Sequence, residues 1–143
     1  MNVATILKHK GNDVVSVGPD ATLQEAVRLL AGKRIGAALV LSEDKSLAGI
    51  VSERDIVRAI ADRGPACLQM PVTSFMTRAV ETCRPSDTID QLMAQMTAGR
   101  FRHVPVVEDG RLAGIVSIGD VVKLRIAETE LEVSAIREYI AAH

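Results

Sequence analysis

Apolar positions along the chain follow an order of spacings that runs through twice. Val3, Ile6 and Leu7 share one short helical face, which Gly11-Asn12-Asp13 then breaks. Val14-Val15-Ser16-Val17 reads as a short strand ended by Gly18-Pro19. Thr22-Leu23-Gln24-Glu25 has the form of a capping box, and Leu23, Ala26, Val27 and Leu30 carry an apolar stripe onward until Gly32-Lys33 ends the helix. The run Ile35-Gly36-Ala37-Ala38-Leu39-Val40-Leu41 is almost wholly apolar, as expected of a strand covered on both faces. A polar turn at 42–46 makes a hairpin with a strand at 47–51, and a helix from Asp55 to about Asp62 stops at Gly64-Pro65.

The order then begins again. Val72, Phe75 and Met76 repeat the spacing of Val3, Ile6 and Leu7; residues 80–83 read as the strand, Pro85-Ser86-Asp87-Thr88 as the cap, and Ile89, Leu92, Met93 and Met96 as the stripe. Val104-Pro105-Val106-Val107, the turn Glu108-Asp109-Gly110 and a strand at 112–116 form a second hairpin, followed by a helix from Asp120. Six residues, LAGIVS, are identical at Leu47 to Ser52 and Leu112 to Ser117, and in each copy an Asp stands three positions after the Ser. The copies lie 66 residues apart at Pro19 and Pro85 but 65 at Gly49 and Gly114, so the second hairpin turn is one residue shorter.

Each copy is β-α-β-β-α, too small and too apolar on its sheet faces to stand alone. The expected fold is therefore α/β (α+β), two tandem copies packed sheet to sheet with pseudo-twofold symmetry plus a C-terminal helix. The expected modules are residues 1–65 and 66–127, with 128–143 a helical extension. Along the tail, expected to be helical from Val121 to about His143, Ile126, Thr129, Val133, Ile136 and Ile140 trace a three-four spacing. That spacing suits either packing on the protein's own modules or a dimer contact.

Composition narrows the function classes. Hydrophobic residues make up 48% of the 143 and aromatics 2%, so the core is built from Val, Ile, Leu, Ala and Met, and stacking on nucleic-acid bases is poorly supplied. With 17 Lys plus Arg against 18 Asp plus Glu, the formal charge is -1, and no global field draws the chain to nucleic acid or an acidic membrane surface. Neither partner is expected. Cys67 and Cys83 form no C-x-x-C pair and are too few for a disulfide framework, which fits a reducing compartment. No signal-peptide core or bilayer-length apolar run is present, so the expectation is a soluble, cytoplasmic protein.

With its doubled β-α-β-β-α order and doubled G-I-V-S-x-x-D, the chain resembles a tandem cystathionine-β-synthase (CBS) domain protein over residues 1 to about 127. The Pro-x-x-Thr entries at Pro19 to Thr22 and Pro85 to Thr88, and the strand Arg102-His103-Val104-Pro105-Val106-Val107, carry the same likeness. What the resemblance implies is a stand-alone Bateman module. Such a module acts as a regulatory sensor rather than an enzyme and receives AMP, ADP, ATP, NAD or S-adenosylmethionine in two clefts. The ligand is then regulatory, no cofactor is required, and the implied partners are a second copy of the chain in a homodimer and an unnamed regulated protein.

The resemblance also implies which residues bind. A ribose offers two adjacent hydroxyls, and an ionised carboxylate is the acceptor-only group that can take both; Asp55 and Asp120 are those carboxylates by family likeness. The Ser52 and Ser117 hydroxyls can bond to the nucleotide, while N–H groups at the helix start favour anionic oxygens. Ser-x-x-Asp is also the spacing of a plain helix cap, and that alternative stays open. In the family pattern each cleft takes its Asp from one module and much of its adenine wall from the other. Asp120 is then expected to work with Val14, Val15, Ile35, Gly36 and Ala37, and Asp55 with Val80, Glu81, Arg102 and His103. Beside Asp55, Arg54, Arg102 and His103 suit phosphate; beside Asp120 stand Ile118 and Gly119, with Lys123 and Arg34 as more distant cations, so unequal affinities are expected.

Other chemistry finds little support. His9, His103 and His143 have no metal-ligand spacing with one another or with a Cys, so no metal site is expected. Gly32-Lys33 lacks the rest of a P-loop, and no G-x-G-x-x-G follows a strand. No catalytic residue is assigned. The remaining alternatives are a dimerisation adaptor with empty clefts and, less well supplied with groups, a weak nucleotide hydrolase.

Overall fold

In the computed structural model, which describes residues 1–142, the elements follow the expected order with two differences, both in the second copy. The first copy comprises α1 (Val3–Lys10), β1 (Ser16–Val17), α2 (Leu23–Lys33), β2 (Ala37–Leu41), β3 (Leu47–Ser52) and α3 (Glu53–Arg63). The second has α4 (Ile89–Gly99), β4 (His103–Glu108), β5 (Arg111–Ser117) and α5 (Ile118–Ala142). His143, the last residue of the expected tail helix, lies outside the described residues.

Capping fixes where the helices begin. The Thr22 hydroxyl accepts the Glu25 N–H at 3.2 Å while Glu25 accepts the Thr22 N–H at 3.3 Å, and Thr88 and Gln91 repeat the exchange at 3.1 and 2.8 Å. Both helices end on an arginine in the left-handed region, Arg34 and Arg100, each with φ 56°. Gly32 therefore lies inside α2 and does not end it. The buried stripes match the spacing: Leu23, Ala26 and Leu30 in α2, Ile89, Leu92 and Met96 in α4. Leu23 and Leu92 are wholly buried, each contributing about 2 kcal/mol of transfer free energy.

β1 runs parallel to β2, and β2 antiparallel to β3 with Ala37 opposite Ser52 and Leu39 opposite Ile50. Residues 37–40 are all buried, in keeping with the continuous apolar run. The second sheet has only β4 and β5, because the strand expected at 80–83 shrinks to a single parallel bridge between Cys83 and Val106. Pro105 stands where Leu39 donates to Val15 in the first copy and has no N–H to give, and the Asp87 carboxylate takes the Arg84 N–H at 2.9 Å, turning the chain into Pro85. The opening of the second copy differs too. Pro65 and Pro71, which lack an N–H, break it into two short 3-10 turns, Pro65–Gln69 and Val72–Ser74, where the first copy has α1.

Contacts group the chain into two compact units that are offset from the sequence repeat by these opening segments. One, the Asp55 unit, comprises Asp13–Glu81 with Asp109–Leu112; the other, the Asp120 unit, comprises Met1–Asn12, Thr82–Glu108 and the residues from Ala113 onward. Val3, Ile6 and Leu7 thus share a core with Leu92, Val104, Val116 and Val121, while Val72 and Met76 share one with Leu23, Val40 and Val51. Backbone bonds hold each exchange. Val3 and Ala4 donate to Asp87 and Pro85, both at 2.9 Å, and Val72 donates to Ala21 at 2.8 Å.

α5 is continuous across residue 128, so the expected extension is the outer part of one helix. Val121 and Leu124 are buried, and Arg125 pairs with Asp90 and Glu128. Beyond that point the apolar side chains face solvent, with Ile136 59% and Ile140 67% exposed. No helix among the described residues is long and apolar enough to cross a membrane.

Candidate ligand site

Each LAGIVS strand runs straight into a helix, and the Ser and Asp of the motif make that junction. In the Asp55 unit the Ser52 hydroxyl accepts the Asp55 N–H at 3.3 Å. Asp55 Oδ2 accepts the Ser52 N–H at 2.9 Å and the Ser52 hydroxyl at 3.0 Å. The Thr77 hydroxyl reaches the other oxygen, Oδ1, at 3.3 Å. In the Asp120 unit Ser117 and Asp120 repeat the exchange at 3.3, 2.8 and 3.0 Å. The helix-cap role of Ser-x-x-Asp is therefore real in both copies, and it commits one carboxylate oxygen of each Asp. Both Asp side chains are half-buried.

The helix starts are less open to anions than the sequence suggests. The Glu53 N–H donates to the Gly36 carbonyl at 2.9 Å and the Ile118 N–H to the Arg102 carbonyl at 2.8 Å, while the Asp N–H groups are taken by the serines. Two N–H groups at each start are thus spoken for. By the same bonds Gly36, and Ala37 opposite Ser52, adjoin the Asp55 helix, although they were expected to serve Asp120. The Arg102 backbone, expected to serve Asp55, adjoins the Asp120 helix.

The other candidates divide between the units. Val14, Val15, Ile35, Arg54, Val80 and Glu81 belong with Asp55, and His103 and Gly119 with Asp120. The Val15 carbonyl, a candidate for reading an adenine edge, is used by the Leu39 N–H at 3.0 Å within the sheet. Val15 and Ile35 pack against the core of their unit, and Val14, Val80 and His103 are half-buried. Arg54, Glu81, Arg102 and Gly119 are exposed.

The side chain the spacing failed to nominate is Lys10, the last residue of α1. Its ammonium donates to Asp120 Oδ2 at 2.7 Å and to the Ile115 carbonyl at 2.9 Å. Lys10 is the cation paired with Asp120. Burial pushes the Asp120 carboxyl upward, but the Lys10 ammonium and the bonds from Ser117 outweigh it and hold the group below the usual carboxylate range. The packing of the opening segments brings Lys10 to Asp120. Leu7 and Met76 hold matching places in the two opening triplets, and each packs on the glycine of a LAGIVS motif, Gly114 and Gly49 respectively. Residues just beyond them, Lys10 and Thr77, therefore reach the motif Asp.

Cys83 is buried, and burial together with the nearby Asp87 charge pushes its thiol up to about 12, so it stays protonated at neutral pH and is a poor nucleophile. Among the described residues no three His, Cys, Asp or Glu side chains form a group that could hold a metal ion.

The sequence matches the CBS domain family over residues 5–62 and again over 72–127, and the chain belongs to that family as a tandem pair. Solved structures with the same fold agree. The CBS-domain containing protein ATU1752 of Agrobacterium tumefaciens is 53% identical, with a TM-score of 0.85, covering 87% of this chain and 92% of that one. The CBS domain protein PAE2072 of Pyrobaculum aerophilum, solved in complex with AMP, is 32% identical with a TM-score of 0.74, over 84% of this chain and 89% of that one. The CBS domain pair of protein MJ0100, solved with 5'-methylthioadenosine and S-adenosyl-L-methionine, is 26% identical with a TM-score of 0.79, over 90% and 98%.

Proposed function

We propose that this chain is a regulatory module that binds adenosine-containing ligands at Asp55 and Asp120 and signals their level through a change in shape or partner affinity. The observation that carries the reading is the doubled Ser-x-x-Asp junction, whose half-buried carboxylates each keep an oxygen outside the cap exchange. At Asp55 that oxygen already accepts from Thr77, and a carboxylate oxygen has room for a second donor. Asp120 can accept ribose hydroxyls and Asp55 at least one on that oxygen, while the other oxygen holds the helix. The related pairs solved with AMP and with S-adenosyl-L-methionine support the ligand class. AMP, ADP, ATP, NAD and S-adenosylmethionine are the candidates, bound as regulatory ligands without chemistry on them. Two free, buried cysteines suit a reducing compartment such as the cytoplasm. A thermal-shift panel of these ligands tests the reading, because a ligand that binds only the folded state raises the melting temperature. At least one is expected to do so, and a flat panel contradicts the sensor.

One observation favours a second role beside the first. The exposed apolar side of outer α5, with Ile126, Val133, Ile136 and Ile140 at three-four spacing, suits self-association into a homodimer. Sedimentation equilibrium of the full chain and of Ile136→Glu tests it: a dimer weakened by the charge supports it, a monomeric parent contradicts it.

A further inference from the structure

Lys10 and Asp120 are far apart in sequence, yet the ammonium is held at two points, 2.7 Å from Oδ2 and 2.9 Å from the Ile115 carbonyl. The pair is partly shielded, with the side chains 33% and 20% exposed. In the Asp55 unit the group that arrives from the matching opening segment is the neutral Thr77 hydroxyl. The two carboxylates therefore differ in the charge that meets them from that side.

This difference bears on what can bind. Ribose hydroxyls that come to Asp120 find Oδ2 already accepting three donors, from the Ser117 N–H, the Ser117 hydroxyl and Lys10. Oδ1 is left for the hydroxyls, so a ligand held there lies beside the ammonium, which can take a second anion. A phosphate supplies one, and the flexible four-carbon stem of a lysine lets the ammonium reach it without moving the backbone. A neutral nucleoside offers no anion, and a sulfonium adds a like charge.

We infer that Lys10 makes the Asp120 site charge-selective, admitting phosphate-bearing adenosine ligands in preference to neutral or cationic ones. This rests on the reading of Asp120 as a nucleoside site given above and adds the ligand class at that site. Lys10 acts as a specificity-determining residue whose ammonium meets a second anion while it stays beside Asp120. Loss of the ammonium removes the benefit to phosphate and the like-charge penalty on a sulfonium, so those two ligand types respond in opposite directions.

The test is calorimetric titration of AMP, adenosine and S-adenosylmethionine into the full chain carrying Asp55→Asn, with and without Lys10→Met, and with Lys10→Arg as the charge-keeping control. With Lys10 present, AMP should bind at least about tenfold more tightly than adenosine, equal to about 1.4 kcal/mol, and Lys10→Met should bring the ratio near one. Lys10→Arg should keep most of the preference. A ratio that Lys10→Met leaves unchanged, or a ratio near one with Lys10 in place, overturns the selector. If Asp55→Asn abolishes all binding while Asp120→Asn does not, the selector falls and the nucleotide reading survives at Asp55. If the unmodified chain binds none of the three, the functional reading itself fails and the selector with it. Lys10→Gln serves as a second variant should Lys10→Met alter folding.

Discussion

Met76 lies so close to Gly49 that a methyl group on the glycine would stand 2.7 Å from its Sδ and 2.8 Å from the Thr77 carbonyl oxygen. The second contact is to backbone and cannot rotate away. Gly49→Ala should therefore destabilise the chain by about 1–3 kcal/mol in urea unfolding. At Gly114 the corresponding contact is the tip of the Leu7 side chain, at 2.7 Å, which can swing aside. Gly114→Ala should cost less, and equal costs would contradict this account of the motif glycine.

The Lys10–Asp120 pair gives stability a defined pH dependence. Because the folded chain holds the Asp120 carboxyl below its ordinary value, the unfolded state binds more protons between the two values. The contribution is full above about pH 3.9, the ordinary Asp value, and is lost as pH falls through the native value. Lys10→Met should lower stability by about 0.5 kcal/mol at neutral pH, as for a partly exposed ion pair. That difference should shrink on acidification below about pH 4, and a deficit independent of pH in this range would contradict the pairing.

Capping predicts a stability cost at both motif serines that is separate from ligand binding. Ser52→Ala and Ser117→Ala should each lose about 1 kcal/mol without ligand, and Ser→Gly at the same positions only a few tenths. Thermal or urea unfolding measures this directly. No loss in either alanine variant would leave the cap exchange without energetic weight.

Cys83 should resist alkylation. Its thiol is buried and pushed up to about 12, so iodoacetamide at pH 8 should label it only as the chain unfolds, in step with urea unfolding. Fast labelling of the native protein would contradict the buried placement.

Local chemistry made much of the fold legible in the sequence. The Thr22–Glu25 box, the α2 and α4 stripes and the apolar β2 run are all short-range signals, and the structure keeps them. The strand expected at 80–83 does not form because Pro105, which stands where Leu39 donates to Val15 in the first copy, has no N–H to give. α2 runs to Lys33 and takes Arg34 rather than Gly32 as its left-handed cap, since that cap is a matter of backbone geometry that a glycine only suggests. In the site, Ser52, Asp55, Ser117 and Asp120 were visible because they repeat. Lys10 was not, because its pairing with Asp120 depends on α1 packing in the core of the other copy.

The central claim is that the motif carboxylates hold adenosine ligands, and calorimetric titration of AMP into the unmodified chain, Asp55→Ala and Asp120→Ala tests it most directly. Removing the acceptor of a ribose hydroxyl should weaken binding at that site by at least about tenfold, since a bond to a charged group is worth about 1.5–3 kcal/mol. The account predicts that loss in at least one variant, with the fold intact by circular dichroism. Unchanged AMP binding in both variants would contradict it.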